Sequence, residues 1–420
     1  MNKSAHGIKA FFPWIQQNYP WLLLLLIFFS FTFGELYRQM ITLMALVGIY
    51  QIIRDPKQLI TQPAIKMLLV LFLCLWLPIL ASLIGTGYPV SSGMTALRYL
   101  MYLLAGVAMI RLLARTDMLN RLAIGVMLIM LCWSLDGLLQ FFAGQNILGY
   151  PYLGYRVTGV FHPSPRIGIV LAILAPVYFE AIRHLSLRNR WAWLLLLPLI
   201  AVILLAGSRS SWILLAAALA GYGAYYVAIA AEFRWVRLLL RGAAVMGLAV
   251  FIVMQVGWLE ERVRGALNIV SSNYDEANLA SSNRLPLWNT ALNMASQNWL
   301  NGVGVRAFHY AYNDYAGQGD PFRDLDPGHP HLLVLEIAAE TGLIGITGYL
   351  LFLGYLIKKI ISLKRSARSH AIPWGVAVIV AAFPLSAGIP FYAHFLSGLT
   401  WLPLIVFLSM YDVESKANTS

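Results

Sequence analysis

The chain has 420 residues, of which 60% are hydrophobic and 11% are charged, and its formal net charge is +12. Soluble domains carry roughly 25% charged residues, so this composition excludes a soluble globular enzyme and a disordered chain. The apolar residues form long runs and do not alternate with polar ones, which excludes a transmembrane β-barrel. The sequence therefore predicts an all-α, polytopic membrane protein.

Apolar runs along the chain predict about twelve transmembrane helices. The first run follows a basic N-terminus and has no small-residue cleavage site after it, so we interpret it as an uncleaved span. In chain order, the runs cover residues 21–33, 40–53, 67–84, 97–114, 122–143, 167–182, 191–206, 211–231, 238–257, 332–357, 372–390 and 393–411.

The basic residues predict how these spans are oriented. With a cytoplasmic N-terminus, about two thirds of the Lys and Arg residues and every lysine fall on inner segments, which favours cytoplasmic N- and C-termini. Topology thus accounts for the positive charge, and no nucleic-acid partner is expected. The outer basic residues are all arginines, whose guanidinium groups suit bidentate contacts with phosphate or carboxylate. They are Arg38, Arg98, Arg156, Arg166, Arg209, Arg262, Arg264, Arg284, Arg306 and Arg323.

One outer segment is too long to be a simple connection. Residues 257–331 form a large polar and aromatic loop, and it divides the chain into residues 1–256 with nine spans and residues 332–420 with three. Two cysteines lie inside apolar runs, so neither a disulfide framework nor a thiolate metal site is expected.

Within this loop, residues 284–299 predict a short helix at the membrane surface. Its apolar face is predicted to carry Leu285, Trp288, Leu292 and Ala295. Ser282 or Asn283 is the expected helix cap.

A histidine and four outer arginines are the strongest candidates for chemistry. His331 lies at the outer mouth of the tenth span, where a nearly neutral imidazole suits a general base, although it could equally hydrogen-bond a loop. Arg209 lies in the turn GSRSS, Arg156 and Arg166 flank GVFHPSPR, and Arg284 opens the surface helix. Each arginine alone is typical of a headgroup anchor. Several on one side beside a histidine indicate an anionic ligand such as a diphosphate.

The segment RDLDPGHPH offers an alternative, because its acidic and histidine side chains could bind a divalent metal ion. These side chains are Asp324, Asp326, His329 and His331. We favour an acidic turn in which the aspartates hydrogen-bond local backbone, and therefore predict no metal and no cofactor.

Aromatic and intramembrane acidic residues are weaker candidates. Tyr310 and Tyr312 could stack on sugar rings, but tyrosines also form belts at membrane interfaces. Four carboxylates lie inside predicted spans and are functional suspects for that reason: Asp136, Glu180, Glu336 and Glu340. The last two lie four residues apart on the helix that follows His331 and could share a face with it.

Together these motifs resemble the O-antigen ligase family, within the wider ligase and polymerase group of membrane glycosyltransferases. The turn at Arg209, the segment RVTGVFHPSP at Arg156 and the stretch RLPLW…NGVGVRAF from Arg284 are each similar to a family segment. The most specific stretch resembles the signature His-x3-Leu-x4-Glu-x-Gly-x2-Gly, whose positions here are His331, Leu335, Glu340, Gly342 and Gly345.

The resemblance implies a GT-C-like membrane enzyme that uses neither nucleotide nor metal. Such enzymes move O-antigen polysaccharide from undecaprenyl diphosphate to a sugar of lipid A–core, at the periplasmic face of the bacterial inner membrane. By this resemblance His331 is the general base, and Arg209, Arg284 and Arg156, with Arg166 as a further candidate, hold the diphosphate. No carboxylate nucleophile is evident, so we expect a single displacement with inversion.

Two other kinds of function compete with this interpretation. An O-antigen polymerase or a protein O-oligosaccharyltransferase uses the same donor with another acceptor; the latter generally has an added region after the histidine motif. A twelve-span transporter or lipid flippase usually places its main loop inside, between two similar halves, and carries charged pairs along a central path. This sequence predicts an outer loop and shows no repeat of one half in the other.

Overall fold

The structure is a computed structural model, and it describes residues 18–113, 116–229, 247, 251, 273–363 and 370–417. Within these residues all regular structure is helical, apart from one isolated bridge between Gln145 and Pro151. The predicted all-α class is thus confirmed for the described part. The predicted ninth span (residues 238–257) and the start of the loop (residues 257–272) lie outside it, except for positions 247 and 251.

We number the α-helices of the described part in chain order, and 3₁₀ helices cover Gly159–Phe161 and Arg190–Leu195. The α-helices are α1 (Asn18–Ser30), α2 (Leu36–Arg54), α3 (Pro56–Thr61), α4 (Pro63–Ala81), α5 (Pro89–Leu112), α6 (Thr116–Ala143), α7 (Ile167–Ser186), α8 (Leu196–Leu205), α9 (Arg209–Ile229), α10 (Tyr274–Ala280), α11 (Leu285–Gln297), α12 (Phe308–Tyr315), α13 (Leu333–Leu363), α14 (Ile372–Ala381) and α15 (His394–Ala417).

Eight of the described helices are long and apolar enough to cross a membrane, namely α2, α4, α5, α6, α7, α9, α13 and α15. Shorter apolar helices cover Asn18–Ser30, Arg190–Leu205 and Ile372–Ala381. Each predicted run within the described residues therefore coincides with an apolar helix over much of its length, and the protein is a membrane protein. The count of twelve stays a prediction.

Helices α7 and α15 form the core of the bundle. In each of these two helices, 89% of the most apolar stretch is buried inside the protein, whereas the corresponding share is 28% in α2 and in α13. Prolines start several of the surrounding helices, because proline lacks the N–H that the first turn cannot use. Pro63, Pro89 and Pro286 hold this position in α4, α5 and α11.

The predicted span over residues 372–390 is wrong in its second half. Helix α14 ends at Ala381, and residues 382–393 form no helix. Pro384 and Pro390 explain the break, because proline cannot donate the helical hydrogen bond. The Ser386 carbonyl accepts the Leu333 N–H at 2.9 Å, so the irregular segment lies against the start of α13. Non-helical backbone at this depth is stable when protein groups satisfy its hydrogen bonds.

Helix α13 is itself interrupted at Gly342, whose φ of 61° and ψ of −156° are not helical. At this interruption, backbone N–H and C=O groups of α13 hydrogen-bond with the loop that follows α11. The pairs are Val303 N with Ala339 O at 2.9 Å, Gly304 N with Glu340 O at 3.1 Å, Leu343 N with Trp299 O at 2.8 Å and Ile344 N with Leu300 O at 3.1 Å.

Two glycines allow this interlocked contact. A Cβ at Gly302 would collide with the backbone of Glu340, and a Cβ at Gly342 would collide with the backbone of Leu300. Both glycines also have positive φ, which side chains disfavour. The glycine of the signature at position 342 thus allows the loop to lie directly against α13.

Helix α11 forms as predicted but buries a different face. Its buried apolar side chains are Leu287, Ala291 and Met294, which pack with Phe308 and Tyr312 in a small core of the loop. Leu292 on the predicted face is 53% exposed. Neither Ser282 nor Asn283 caps the helix; the Ser281 hydroxyl accepts the N–H of Arg284 instead. The helix therefore packs onto α13 and its loop, and the predicted apolar face is wrong.

Candidate active site

A cavity of about 520 Å³ lies where α9, α11 and α13 begin. His331 and three of the predicted arginines, Arg156, Arg209 and Arg284, line it together. Its other lining residues are Pro165, Ile169, Gly207, Ser208, Ser210, Ile213, Ala280, Ser281, Ser282, Trp288, Leu332, Leu385, Ala387 and Gly388. None of these lining residues carries a carboxylate.

Backbone contacts explain how distant arginines meet. The Val157 N–H donates to the Leu205 carbonyl at 3.1 Å, which holds the Arg156 segment at the end of α8. The chain then turns at Gly207, whose φ is 61°, and α9 begins at Arg209. The connection from α10 to α11 brings Arg284 to the same cavity.

The three guanidinium groups form a strongly positive site. Burial lowers the pKa of Arg284, and the nearby charges of Arg209 and Arg156 lower that pKa further. A guanidinium stays protonated despite such shifts. Among the described residues, no carboxylate pairs with any of these three side chains. Like charges held together without a counter-charge favour the binding of an anion.

Two buried donors in this region also lack partners. The Arg156 Nε and the Trp288 Nε1 have no hydrogen-bond partner among the described residues. A buried N–H without an acceptor costs about 1–3 kcal/mol, so such groups are usually satisfied by a ligand or by water. Both residues line the cavity.

His331 is held in one orientation by its backbone surroundings. Its Nδ1 lies 2.9 Å from the Ala387 carbonyl oxygen, which can only accept, so Nδ1 carries the proton in this contact. The Nε2 of the neutral ring is then the proton acceptor. Burial lowers the pKa of His331, the Ala387 contact raises it and the charge of Arg284 lowers it. The net direction is downward, so the imidazole is neutral and basic at pH 7.

His329 has a different position and a different role. It is 8% exposed, and its Nδ1 accepts the backbone N–H of His331 at 3.2 Å. Burial and the neighbouring charges of His331, Arg306 and Arg284 lower its pKa to about 2. His331 itself adopts a φ of 53°, a left-handed conformation that is uncommon for a non-glycine residue. His329 therefore supports the turn that presents His331.

Residues 193–350 match the family model described as O-Antigen ligase. The chain contains an O-antigen ligase family domain. Arg209, Arg284 and His331 lie inside the matched range, whereas Arg156 precedes it. The resemblance drawn from the motifs is thus confirmed, and it supports a membrane glycosyltransferase of the ligase or polymerase type. Comparison with curated proteins gives no match.

The signature residue Glu340 and the neighbouring Glu336 both have structural contacts from α13. Glu336 accepts the Phe391 N–H at 2.9 Å and so fixes the irregular segment after α14. Glu340 accepts the backbone N–H groups of Arg306 at 2.8 Å and of Phe308 at 3.4 Å and so fixes the loop. Neither glutamate lines the cavity. In α6, Asp136 likewise accepts local donors, from Asn146 and from the N–H of residue 147.

Three predicted site residues of the ligase domain and its flank lie elsewhere. Arg166 does not line the cavity; its guanidinium lies over the Phe395 ring, 4.6 Å from the centroid. Tyr312 is fully buried and donates to Asp320 at 2.9 Å, so the predicted sugar contact is wrong because the hydroxyl and the ring are already used. Tyr310 is exposed but stacks on Tyr88, 5.3 Å between centroids, outside the cavity lining.

The possible metal ligands of the RDLDPGHPH segment are not gathered into one site. Asp324 accepts the Asn313 side-chain amide at 3.0 Å, a partner eleven residues away and not the local backbone that the turn interpretation predicts. In the part of the chain that the structure describes, one group of three His, Cys, Asp or Glu side chains has donor atoms within 4.8 Å of one another: Glu180, His184 and His370. The Arg183 guanidinium already holds both oxygens of that glutamate, at 2.6 and 2.8 Å.

Two contributors to the site were missed at the level of sequence. Trp288 lines the cavity, although its spacing placed it on an apolar face. The Ala387 carbonyl orients His331, and it belongs to a segment that reads as a transmembrane helix. The two prolines of that segment, at 384 and 390, are the available signal, because they predict broken helix within an apolar run.

Proposed function

We propose that this protein transfers O-antigen polysaccharide from undecaprenyl diphosphate to a sugar of lipid A–core. The transfer would occur at the periplasmic face of the bacterial inner membrane, with both chain termini in the cytoplasm. The observation that carries the proposal is a single cavity. Three guanidinium groups and a neutral imidazole of fixed orientation line it, and its described lining residues include no carboxylate. The family match over residues 193–350 supports the same class of reaction.

His331 acts as the general base in this proposal. The acceptor hydroxyl attacks the anomeric carbon of the donor sugar, and its proton passes to the Nε2 of His331. Two observations support this role: the Nδ1 contact with Ala387 leaves Nε2 as the acceptor, and the lowered pKa keeps the ring unprotonated at pH 7.

The arginines hold the leaving group. As the bond from the anomeric carbon to the diphosphate oxygen breaks, negative charge grows on the undecaprenyl diphosphate. Arg156, Arg209 and Arg284 place positive charge at the cavity before the reaction begins, which stabilises that developing charge.

The cavity lining also favours the stereochemistry of a single displacement. A double displacement needs a nucleophile, most often a carboxylate, beside the anomeric carbon. Among the residues that the structure describes, those that line this cavity include no Asp or Glu. We therefore expect the acceptor oxygen to attack directly, with inversion at the anomeric carbon.

The test is a transfer assay with the purified protein, undecaprenyl-diphosphate-linked polysaccharide and lipid A–core, in buffer containing EDTA and no nucleotide. We expect a ladder of high-molecular-weight lipopolysaccharide from the wild type and none from His331→Ala. Expression in a host that lacks its own ligase should restore the same ladder. A product in which two polysaccharide chains are joined on the lipid carrier, with lipid A–core unmodified, would identify a polymerase and overturn the proposed acceptor.

A further inference from the structure

Four outer arginines lie outside the cavity and form a second positive cluster, which we call the acceptor-side cluster. They come from α2, from α5, from the segment before α7 and from the loop before α12. They are Arg38, Arg98, Arg166 and Arg306. None of them lines the cavity described above.

Aromatic side chains hold two members of this cluster in place. The Arg166 guanidinium lies 4.6 Å from the centroid of Phe395, and the Arg38 Nε donates to the Tyr37 hydroxyl at 3.3 Å. Tyr37 and Phe395 meet edge to face at 5.9 Å, so the two guanidinium groups flank one aromatic group. Arg38 also pairs with Glu35.

The other two members are joined through α5. The Ser91 hydroxyl donates to the Arg306 carbonyl at 3.1 Å, which places Arg306 at the outer end of the helix. Arg98 lies two turns further along α5, and its charge is close enough to repel those of Arg306 and Arg38. Arg98 is thus within a candidate membrane span, where a charged side chain is costly and usually functional.

Carboxylates lie near the cluster but pair with only one of its members. Arg38 pairs with Glu35, whereas Arg98, Arg166 and Arg306 have no side-chain hydrogen bond or ion pair within the described residues. The charge of Arg306 acts on the buried Glu336 and Glu340, but Glu340 accepts the Arg306 backbone N–H at 2.8 Å and neither glutamate hydrogen-bonds its guanidinium. The Nη1 of Arg306 is buried without a partner. Buried and unpaired guanidinium nitrogens indicate a site for an anionic oxygen ligand.

Apolar side chains beside Arg98 indicate that this ligand is a lipid. Val90, Met94 and Leu97 follow one another at helical spacing on α5 and are 78%, 55% and 60% exposed. Met94 lies one turn from Arg98 and Leu97 directly precedes it. An anionic headgroup at Arg98 would therefore place its acyl chains along an apolar surface of the helix.

One arginine of the cluster and one of the cavity both act on the histidine turn. The charges of Arg284, from the cavity, and of Arg306, from the acceptor-side cluster, both lower the pKa of His329. The rings of His329 and His331 are 3.9 Å apart. Both arginine groups therefore lie within electrostatic range of the turn that carries His331, as the sites for two substrates of one transfer reaction would.

We propose that Arg38, Arg98, Arg166 and Arg306 bind a phosphate group of a membrane glycolipid, and that this glycolipid is the acceptor. The assignment as acceptor rests on the proposed function; the binding of a phosphorylated lipid does not. The chemistry required is a phosphomonoester on a lipid-anchored sugar, such as the phosphates of lipid A.

The test measures binding and transfer separately. Purified protein in detergent is titrated with lipid A–core whose phosphates are intact or have been removed by a phosphatase, and with inorganic phosphate. Losing one charge-assisted contact costs about 1.5–3 kcal/mol, so Arg98→Gln should weaken binding of the intact lipid about 10–100-fold. Binding of the dephosphorylated lipid should change less than about twofold. Arg98→Lys, which retains the charge, should lie between the wild type and Arg98→Gln.

The matched control is Arg323→Gln, which removes an exposed outer arginine that belongs to neither group. It should leave binding of the intact lipid unchanged. Equal binding of both lipids by the wild type, or equal weakening of both by Arg98→Gln, would overturn the proposal. Equal competition by inorganic phosphate and intact lipid A–core would assign the cluster to free phosphate and overturn the lipid assignment.

In the transfer assay, Arg98→Gln should raise the KM for intact lipid A–core about tenfold and leave the KM for the donor unchanged. A rise in the donor KM instead would place these arginines on the donor and overturn their role as acceptor contacts. A wild type that binds the phosphorylated lipid and never transfers polysaccharide would refute the proposed function and, with it, the acceptor assignment, while the lipid site would stand.

Discussion

Helices α7 and α9 carry charged clusters near both ends, and the two clusters differ in how their charges are paired. At one end, the buried Glu180 carboxylate accepts from Arg183 at 2.6 and 2.8 Å and from Tyr222 at 2.7 Å. At the other end, where α9 begins, Arg209 shares the cavity with Arg284 and no lining residue is acidic. The cluster at Glu180 contains charges of both signs that pair with each other. The cavity cluster is positive, and its described lining residues offer no counter-charge.

The difference shows how a structural charge and a ligand-binding charge can be told apart. A buried ion pair needs the correct partner within the protein, and removing one partner leaves a buried charge unmatched. A site for an anion needs the opposite arrangement, in which the protein keeps like charges close and provides no competing carboxylate. Here the interlocked loop and the broken α13 supply the rigid frame for such an arrangement.

The largest expected effect is the loss of the base. His331→Ala should reduce transfer about 10²–10⁴-fold, because no other lining residue accepts a proton at neutral pH. The measurement is the initial rate of polysaccharide transfer at matched protein amounts, with thermal stability as the check on folding. His329→Ala should cause a smaller loss, since His329 only supports the turn. The reverse order of these two losses would contradict the assignment of the base.

The second effect separates the two clusters directly. Arg209→Lys and Arg284→Lys should each reduce the transfer rate about 10–100-fold, because lysine keeps the charge but loses the planar, bidentate contact with phosphate. Arg183→Lys is the matched control in the paired cluster and should transfer at nearly the wild-type rate. Equal rates for all three lysine variants and the wild type would mean that the cavity arginines only anchor lipid headgroups.

The third effect concerns stability at the paired end. Arg183→Gln leaves the buried Glu180 with Tyr222 and His184, and with His370 at 3.8 Å, as its remaining partners. We expect the free energy of unfolding to fall by about 1–3 kcal/mol. The readout is the thermal transition of the purified protein in detergent. Arg209→Gln should not lower this transition, because Arg209 has no side-chain partner among the described residues. A similar fall in both variants would contradict the distinction between the paired and the cavity cluster.

The smallest effect is a shift in the pH dependence of transfer. The pKa of His331 lies below its ordinary value, so the neutral base is present at pH 7 and is lost as the pH falls through this lowered pKa. Arg284 lowers that pKa by its positive charge. Arg284→Gln should therefore move the acidic side of the pH–rate profile to higher pH. An unchanged profile in the slow Arg284→Gln variant would place the two side chains too far apart to interact.

Much of this arrangement could be predicted from the sequence, because long apolar runs and the spacing from His331 to Gly345 have few structural solutions. Gly302 and Gly342 lie at the close contact between the loop and α13, and His331 lines the cavity. Arg156, Arg209 and Arg284 share that cavity, as expected of an anion site.

The failures have one physical cause, which is that tertiary contacts overrode local patterns. Residues 382–393 are apolar enough for a span, but their backbone binds α13 and presents Ala387 to His331. Helix α11 turns Leu287 inward because the loop core covers it. Arg166 is ten residues from Arg156, but its guanidinium lies over Phe395 at the start of α15, a contact that local sequence does not indicate.

The most direct test of the cavity as a diphosphate site is the binding of undecaprenyl diphosphate to purified protein, followed by thermal stability. A ligand at 100 times its Kd stabilises the folded state by about 2.7 kcal/mol, so a saturating carrier lipid should clearly raise the Tm of the wild type. The account predicts the same rise for Arg183→Lys and little or no rise for Arg284→Lys. An equal rise in the wild type and in both variants would contradict it, because the lipid would then bind without the unpaired arginines.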